Sequence, residues 1–176
     1  LLGFDVTIYD AKPKPGGLNT WGIAPYKMSQ ADALKEVQLV ESFGVKIRSG
    51  VRVGRDIALA ELEQKHDAIF LGVGLGVSAR LNIPGEDLPG VVDAIEFIER
   101  VTTRNWPSVD VGRRVAVIGA GNTAIDAVTE ARRLGAEHVM IIYRRSREEM
   151  PAYDFEYELA KSDGVQFQFL TAPVRI

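Results

Sequence analysis

Cysteine is absent from these 176 residues. That excludes disulfides, a redox-active cysteine pair and thiolate-held iron–sulfur clusters from this stretch. Histidine is scarce, with only His66 and His138, which argues against a histidine-built metal site. Neither sign of charge dominates: the net charge is −3, and a general nucleic-acid binder would be basic. No apolar run is long enough to span a membrane and no signal peptide is visible, so no membrane partner is expected and a cytoplasmic location is. There is no initiating Met, and Leu1-Leu2-Gly3 reads as the end of a helix. What remains is ordinary for a globular protein, 46% hydrophobic and 26% charged.

The strongest local pattern is Val115-Ala116-Val117-Ile118-Gly119-Ala120-Gly121-Asn122-Thr123-Ala124. The apolar, mostly β-branched run reads as a buried parallel strand. Gly119-x-Gly121-x-x-Ala124 follows, and then Ile125, Val128, Ala131 and Leu134 at helical spacing. Strand, glycine turn and helix together form the signature of a dinucleotide site. Gly119 allows a sharp turn, Gly121 leaves room for a pyrophosphate, and Ala124 lets helix and strand pack closely. The helix N-terminus then offers free N–H groups and a partial positive charge to the phosphates. The bland alternative is a glycine turn in an α/β protein that binds nothing; the flanking elements weigh against it.

A second strand, Val139 to Tyr143, closes in Arg144-Arg145. The same cadence appears earlier, where Leu2-Gly3 leads through Val6-Thr7-Ile8-Tyr9 to Asp10. The later strand follows a dinucleotide turn, so the earlier one is expected to have followed one too, upstream of Leu1, in a longer protein. An acid at such a strand end accepts hydrogen bonds from a ribose with free hydroxyls, so Asp10 fits FAD or NAD. Two arginines there can pair with a 2′-phosphate and fit NADP. Asp10 could instead be a turn residue before Lys12-Pro13, and the arginines a solvated cluster with Arg147, Glu148 and Glu149.

Between these landmarks, Pro13, Pro15, Gly16 and Gly17 are expected to form a loop that Gly22 to Lys27 continues. Ser29 and Asp32 form a capping box for a helix carrying Leu34, Val37 and Val40 and ending at Gly44. Val45 to Ile47 and Val51 to Val53 read as short strands. Asp56 is placed to cap a helix through Leu59 and Leu62. Ala68 to Gly72 reads as a buried strand leading into Gly74-Leu75-Gly76, Ile83 to Asp87 as a turn, and Ala94 to Val101 as a helix. Thr103 to Gly112 is the expected connector. A helix from Asp154 to Ala160 and a strand from Val165 to Leu170 complete the pattern. The fold class is therefore α/β, with two Rossmann-like, three-layer dinucleotide-binding domains, both incomplete.

With these pieces in order, the chain resembles the two-dinucleotide-domain flavoproteins typified by the glutamate synthase small subunit and the NADPH/FAD portion of dihydropyrimidine dehydrogenase. The resemblance rests on Gly16-Gly17-Leu18, Gly22 to Lys27, Phe43-Gly44-Val45, His66 to Leu71, Ile83 to Val91, Gly119 to Ala124, and Tyr143-Arg144-Arg145 with Met150-Pro151-Ala152. It covers nearly the whole chain. The family's first glycine fingerprint, later FAD segment and cluster-binding cysteines are not in this stretch, and Lys27 stands where the family often has Arg.

The resemblance implies a partial FAD-binding domain over residues 1–108 and a partial NAD(P)-binding domain over 109–176. It implies electron flow from NADPH through FAD to an iron–sulfur- or flavin-bearing domain or subunit. Asp10 would bind the adenosine ribose of FAD. Gly17, Leu18 and Lys27 would line its phosphates and ring system, and Val53 would meet its adenine. Gly119, Gly121, Asn122 and Thr123 would hold the NADPH pyrophosphate, and Arg144 and Arg145 its 2′-phosphate. Hydride transfer between cofactors asks the protein chiefly for geometry, so no catalytic acid, base or nucleophile is named; adjacent Glu148-Glu149 read as solvated. The alternative is a Rossmann module that holds a nucleotide without chemistry.

Overall fold

The computed structural model describes residues 2–74, 76, 78–103 and 109–176. The chain divides into two compact units, Leu1–Gly76 and Val77–Ile176. This geometric division falls earlier than the cofactor-domain boundary expected between 108 and 109. The reason is a helix, Ala94–Thr103, that packs within the second unit. Much of the expected connector, residues 104–108, lies outside the described residues, as does Leu75.

The first unit contains β1 (Thr7–Asp10), α1 (Gly17–Trp21), α2 (Gln30–Ser42), β2 (Lys46–Ser49) and α3 (Leu59–Lys65). Strands β1 and β2 pair in parallel from Thr7↔Lys46 to Asp10↔Ser49, with α1 and α2 forming the crossover. Helix α2 starts as its sequence directs: Ser29 Oγ accepts from Asp32 N at 3.1 Å and donates to the Asp32 carboxylate at 2.6 Å. It ends where Gly44 takes φ +90° and its N–H bonds the Glu41 carbonyl.

Four features of this unit differ from the sequence expectation. Residues 17–21 form a helical turn rather than loop, held where Thr20 Oγ1 donates to Pro15 O at 2.7 Å and Trp21 Nε1 to Lys14 O at 2.9 Å. Residues 51–53 give only one bridge, Val53 to Ile57. Asp56 does not cap α3; its carboxylate accepts from Arg52 N and from the Arg55 guanidinium. Ala68 to Gly72 forms no strand, and Phe70 is 94% exposed. A strand exists only with a ladder partner, and among the described residues none lies beside this run.

The second unit contains α4 (Ala94–Thr103), β3 (Arg114–Ile118), α5 (Asn122–Arg133), β4 (His138–Ile142), α6 (Asp154–Ser162) and β5 (Gln166–Gln168). The sheet is parallel, in the order β3-β4-β5. Register puts Val115 beside Val139, Val117 beside Ile141, and Ile141 beside Phe167. These alternate residues share one face. That face joins a core with Ile125 and Val128 of α5 and Ala160 of α6. Tyr157 of α6 meets Phe167 edge-on at 4.7 Å. Helices α5 and α6 therefore lie on the same side of the sheet, as two successive right-handed crossovers in one direction require. Both end in the same hydrogen-bonded glycine stop, with Gly135 at φ +105° and Gly164 at φ +87°. Among the described residues, no helix is long and apolar enough to cross a membrane.

Candidate functional site

Parallel strands send their carboxyl ends to one edge of a sheet, and ligands of such folds bind outside that edge. In the second unit this edge is made by Ile118 and Ile142, the last residues of β3 and β4. The next residue, Gly119, has φ +118°, a conformation L side chains avoid, and its N–H donates to Ile142 O at 3.0 Å. The chain thus turns sharply out of β3 while still bonded to β4. Ala120 is buried beneath the turn.

Gly121 is the N-cap of α5, at φ −83°, with no side-chain cap. Its own carbonyl accepts from Ala124 N at 2.9 Å and Ile125 N at 3.1 Å. The N–H groups ahead of these have no acceptor within the helix and point out of its end. A Cβ added to Gly121 would have no heavy atom within 4 Å. The first turn carries no acid, and the last turn carries Arg132 and Arg133. The amino end is therefore open beside Gly121 and carries no acid in its own first turn, a set of donors that suits a pyrophosphate.

Beyond β4, Arg144 and Arg145 are exposed. Among the described residues, neither guanidinium has a hydrogen-bond or ion-pair partner. Arg147, three residues beyond Arg144, is by contrast committed to the fold: it pairs with Asp154 at 2.6 Å and lies 4.0 Å over the Tyr157 ring. Asp154 holds the Arg147 pKa above its ordinary value. The Ser146 hydroxyl holds Glu148 below the usual carboxylate range. Glu149 accepts from Ser146 N at 3.2 Å. The acids of this loop therefore satisfy Ser146 and leave Arg144 and Arg145 unengaged.

Sequence reasoning missed one feature here. The segment Met150-Pro151-Ala152-Tyr153 lies across the glycine turn. Ala152 N donates to Ala120 O at 3.3 Å, and Tyr153 N to Asn122 Oδ1 at 3.3 Å. The Asn122 side chain is occupied by this segment, and its backbone N–H remains at the helix end. The sequence signals only a chain break at Pro151.

In the first unit, Asp10 ends β1 and its Oδ1 accepts from Lys12 N at 2.9 Å. Asp10 lines a cleft of about 160 Å³ with Ile8, Pro15, Gly16, Val37, Val40 and Ile47. That volume suits a ribose-sized group rather than a whole dinucleotide. Gly17 starts α1 at φ +55° with open space where a side chain would stand, and Leu18 is exposed. Neither residue lines the cleft, nor do Lys27 and Val53. Lys27 Nζ lies 5.7 Å over the Tyr26 ring. The structure thus places Asp10 beside the Gly16 loop and leaves Leu18, Lys27 and Val53 outside that cleft. Among the described residues, no cluster of His, Cys, Asp and Glu could hold a metal ion.

Comparison with known proteins fits this geometry. The family model described as pyridine nucleotide-disulphide oxidoreductase matches residues 3–176. The β subunit of the NADP(+)-dependent formate dehydrogenase of Moorella thermoacetica is 37% identical over 99% of this chain, which spans 25% of that protein. The glutamate synthase [NADPH] small chain of Escherichia coli is 36% identical over 99% of this chain, which spans 39% of its length. Among solved structures, Mycobacterium tuberculosis FprA in complex with NADPH superposes with a TM-score of 0.81 at 24% identity, over 98% of this chain and 54% of that one. The last likeness speaks for the fold.

Proposed function

This chain belongs to the pyridine nucleotide-disulphide oxidoreductase family, and from that premise we propose that it is part of an NADPH-dependent flavoprotein oxidoreductase of the glutamate synthase small-chain kind. One observation carries the reading: an open glycine turn at the end of β3 lies beside two unengaged arginines at the end of β4. In this reading Gly121 leaves space for the pyrophosphate, the N–H groups of Asn122 and Thr123 donate to it, and Arg144 and Arg145 grip the 2′-phosphate. Residues 109–176 then serve NADP(H). Residues 1–108 serve FAD, with Asp10 accepting from the ribose and Gly17, Leu18, Lys27 and Val53 along the remainder of the cofactor.

When bound, NADPH supplies a hydride and FAD the acceptor for it. The chain's own residues bind and orient; among the side chains at the turn none is placed to move a proton. Electrons would pass to an iron–sulfur- or flavin-bearing domain or subunit. A relative named as a β subunit of a formate dehydrogenase supports such an assembly.

The test is a pair of fluorescence titrations of the full-length protein, one with NADPH and one with NADH. The expected result is at least about tenfold tighter NADPH binding, the scale of one charge-assisted contact. Equal affinity for the two would remove the arginine pair from the phosphate site. Bleaching of bound flavin by NADPH supports the oxidoreductase; tight NADPH binding without flavin uptake supports a nucleotide-holding module.

A further inference from the structure

The loop from Tyr143 to Tyr153 carries both unengaged arginines, and it is fastened along its length. Thr171 N donates to Tyr143 O at 3.0 Å, and Leu170 N to Arg145 O at 3.1 Å. Tyr143 Oη donates to Glu149 O at 2.9 Å, which closes the loop on itself. Its far end is sunk in the core, with Met150 and Ala152 buried in the same cluster as Ala120. Two hydrogen bonds then join that end to the glycine turn: Ala152 N to Ala120 O, and Tyr153 N to Asn122 Oδ1, both 3.3 Å.

The first of these joins backbone to backbone and forms with any side chain. The second depends on a side chain with an acceptor at position 122. Asn122 is the first residue of α5, so its N–H and its side chain have separate tasks. The N–H points out of the helix end, and the carboxamide oxygen takes the Tyr153 amide.

We propose that Asn122 is a positioning residue: its carboxamide clasps the arginine loop to the phosphate-binding turn and thereby sets the preference for a 2′-phosphorylated nucleotide. The inference rests on the reading of Arg144 and Arg145 given above. It differs from a direct phosphate contact by Asn122. A direct contact would serve NADPH and NADH alike, because both carry the pyrophosphate. The clasp acts on the arginines and so on the one group that distinguishes the two nucleotides. A loop held in place presents the two guanidinium groups ready-formed, and a loosened one must be ordered at each binding event.

Two variants of the full-length protein test this. Asn122→Ala removes the acceptor. Asn122→Asp keeps an acceptor for the Tyr153 amide and adds a negative charge beside the pyrophosphate. Two readouts apply: amide hydrogen exchange of residues 150–153 without nucleotide, and dissociation constants for NADPH and NADH. For Asn122→Ala, exchange of the Tyr153 amide should accelerate, and NADPH binding should weaken about three- to tenfold, with NADH within about twofold. For Asn122→Asp, the amide should stay protected while both nucleotides weaken by a similar factor. Unchanged exchange in Asn122→Ala overturns the clasp. Faster exchange with equal losses for both nucleotides overturns its role in selectivity. Failure of the underlying reading looks different: Arg144→Asp would then leave NADPH affinity unaltered, whatever Asn122 does.

Discussion

The amide of Gly119 donates to the carbonyl oxygen of Ile142 over 3.0 Å. This bond ties the turn after β3 to the last residue of β4, two residues before Arg144. A glycine turn with open space above it and an arginine whose side chain has no partner among the described residues thus start from adjacent strand ends. Their neighbourhood follows from the parallel register, Ile118 beside Ile142, rather than from loop conformation.

Arg144→Asp should therefore discriminate between nucleotides. Arg144 is exposed and its side chain has no partner among the described residues, so the fold should tolerate the change. One charge-assisted pair is lost and a repulsion added. NADPH binding should weaken about 10- to 100-fold and NADH binding about twofold or less. Fluorescence titration of both measures this, and equal losses would place Arg144 away from the 2′-phosphate.

The two glycines of the turn should fail for different reasons. Gly119 sits at φ +118°, so Gly119→Ala should destabilise the fold by about 1–3 kcal/mol through backbone strain, although no atom stands in the way. Gly121 sits at an ordinary φ with empty space where a side chain would stand. Gly121→Val should cost only about 1 kcal/mol, as a poor N-cap, yet abolish NADPH binding by filling the pyrophosphate's place. Urea unfolding combined with nucleotide titration separates the two. Retained binding in Gly121→Val would refute the assigned turn.

The glycine turn was legible in sequence because it needs residue types that little else requires. The strand pair around it was legible because β-branched runs between helical patterns signal a buried parallel sheet. Ala68 to Gly72 carries the same apolar signal, yet Phe70 stands in solvent. Composition marks a run as fit for a sheet, and only a neighbouring strand makes it one. The prolines and glycines on either side of residues 18–21 signal loop, and hydrogen bonds from Thr20 and Trp21 back to the chain make a helical turn instead. The tie between Asn122 and Tyr153 spans 31 residues and joins a side chain to a backbone amide, so no local pattern encodes it.

Acid should loosen the first unit through Asp56. The Arg55 guanidinium and the Arg52 amide hold its carboxyl at about 2, below its ordinary 3.8. A depressed carboxylate pKa contributes stability above the ordinary value, and that contribution is lost as pH falls toward about 2. Asp56→Asn should therefore be less stable than wild type at pH 6. The difference should shrink between about pH 4 and pH 2. Thermal melts across that range measure it, and a gap that stays constant with pH would show that the ion pair is not its source.

Ile141 links the core to the site more directly than any exposed residue. It is fully buried in β4, paired with Val117 on one side and Phe167 on the other, immediately before the residue that receives the Gly119 amide. Ile141→Val removes one methylene and should cost about 0.5–1.5 kcal/mol, with NADPH affinity retained. Ile141→Ala leaves a larger void and should cost about 2–5 kcal/mol. The backbone bond from Gly119 to Ile142 does not involve the Ile141 side chain. Binding measured well below the melting temperature should accordingly persist in both variants while stability falls in steps. If Ile141→Ala instead lost NADPH affinity with little loss of stability, the turn would depend on packing under β4 and not on the backbone bond at its end.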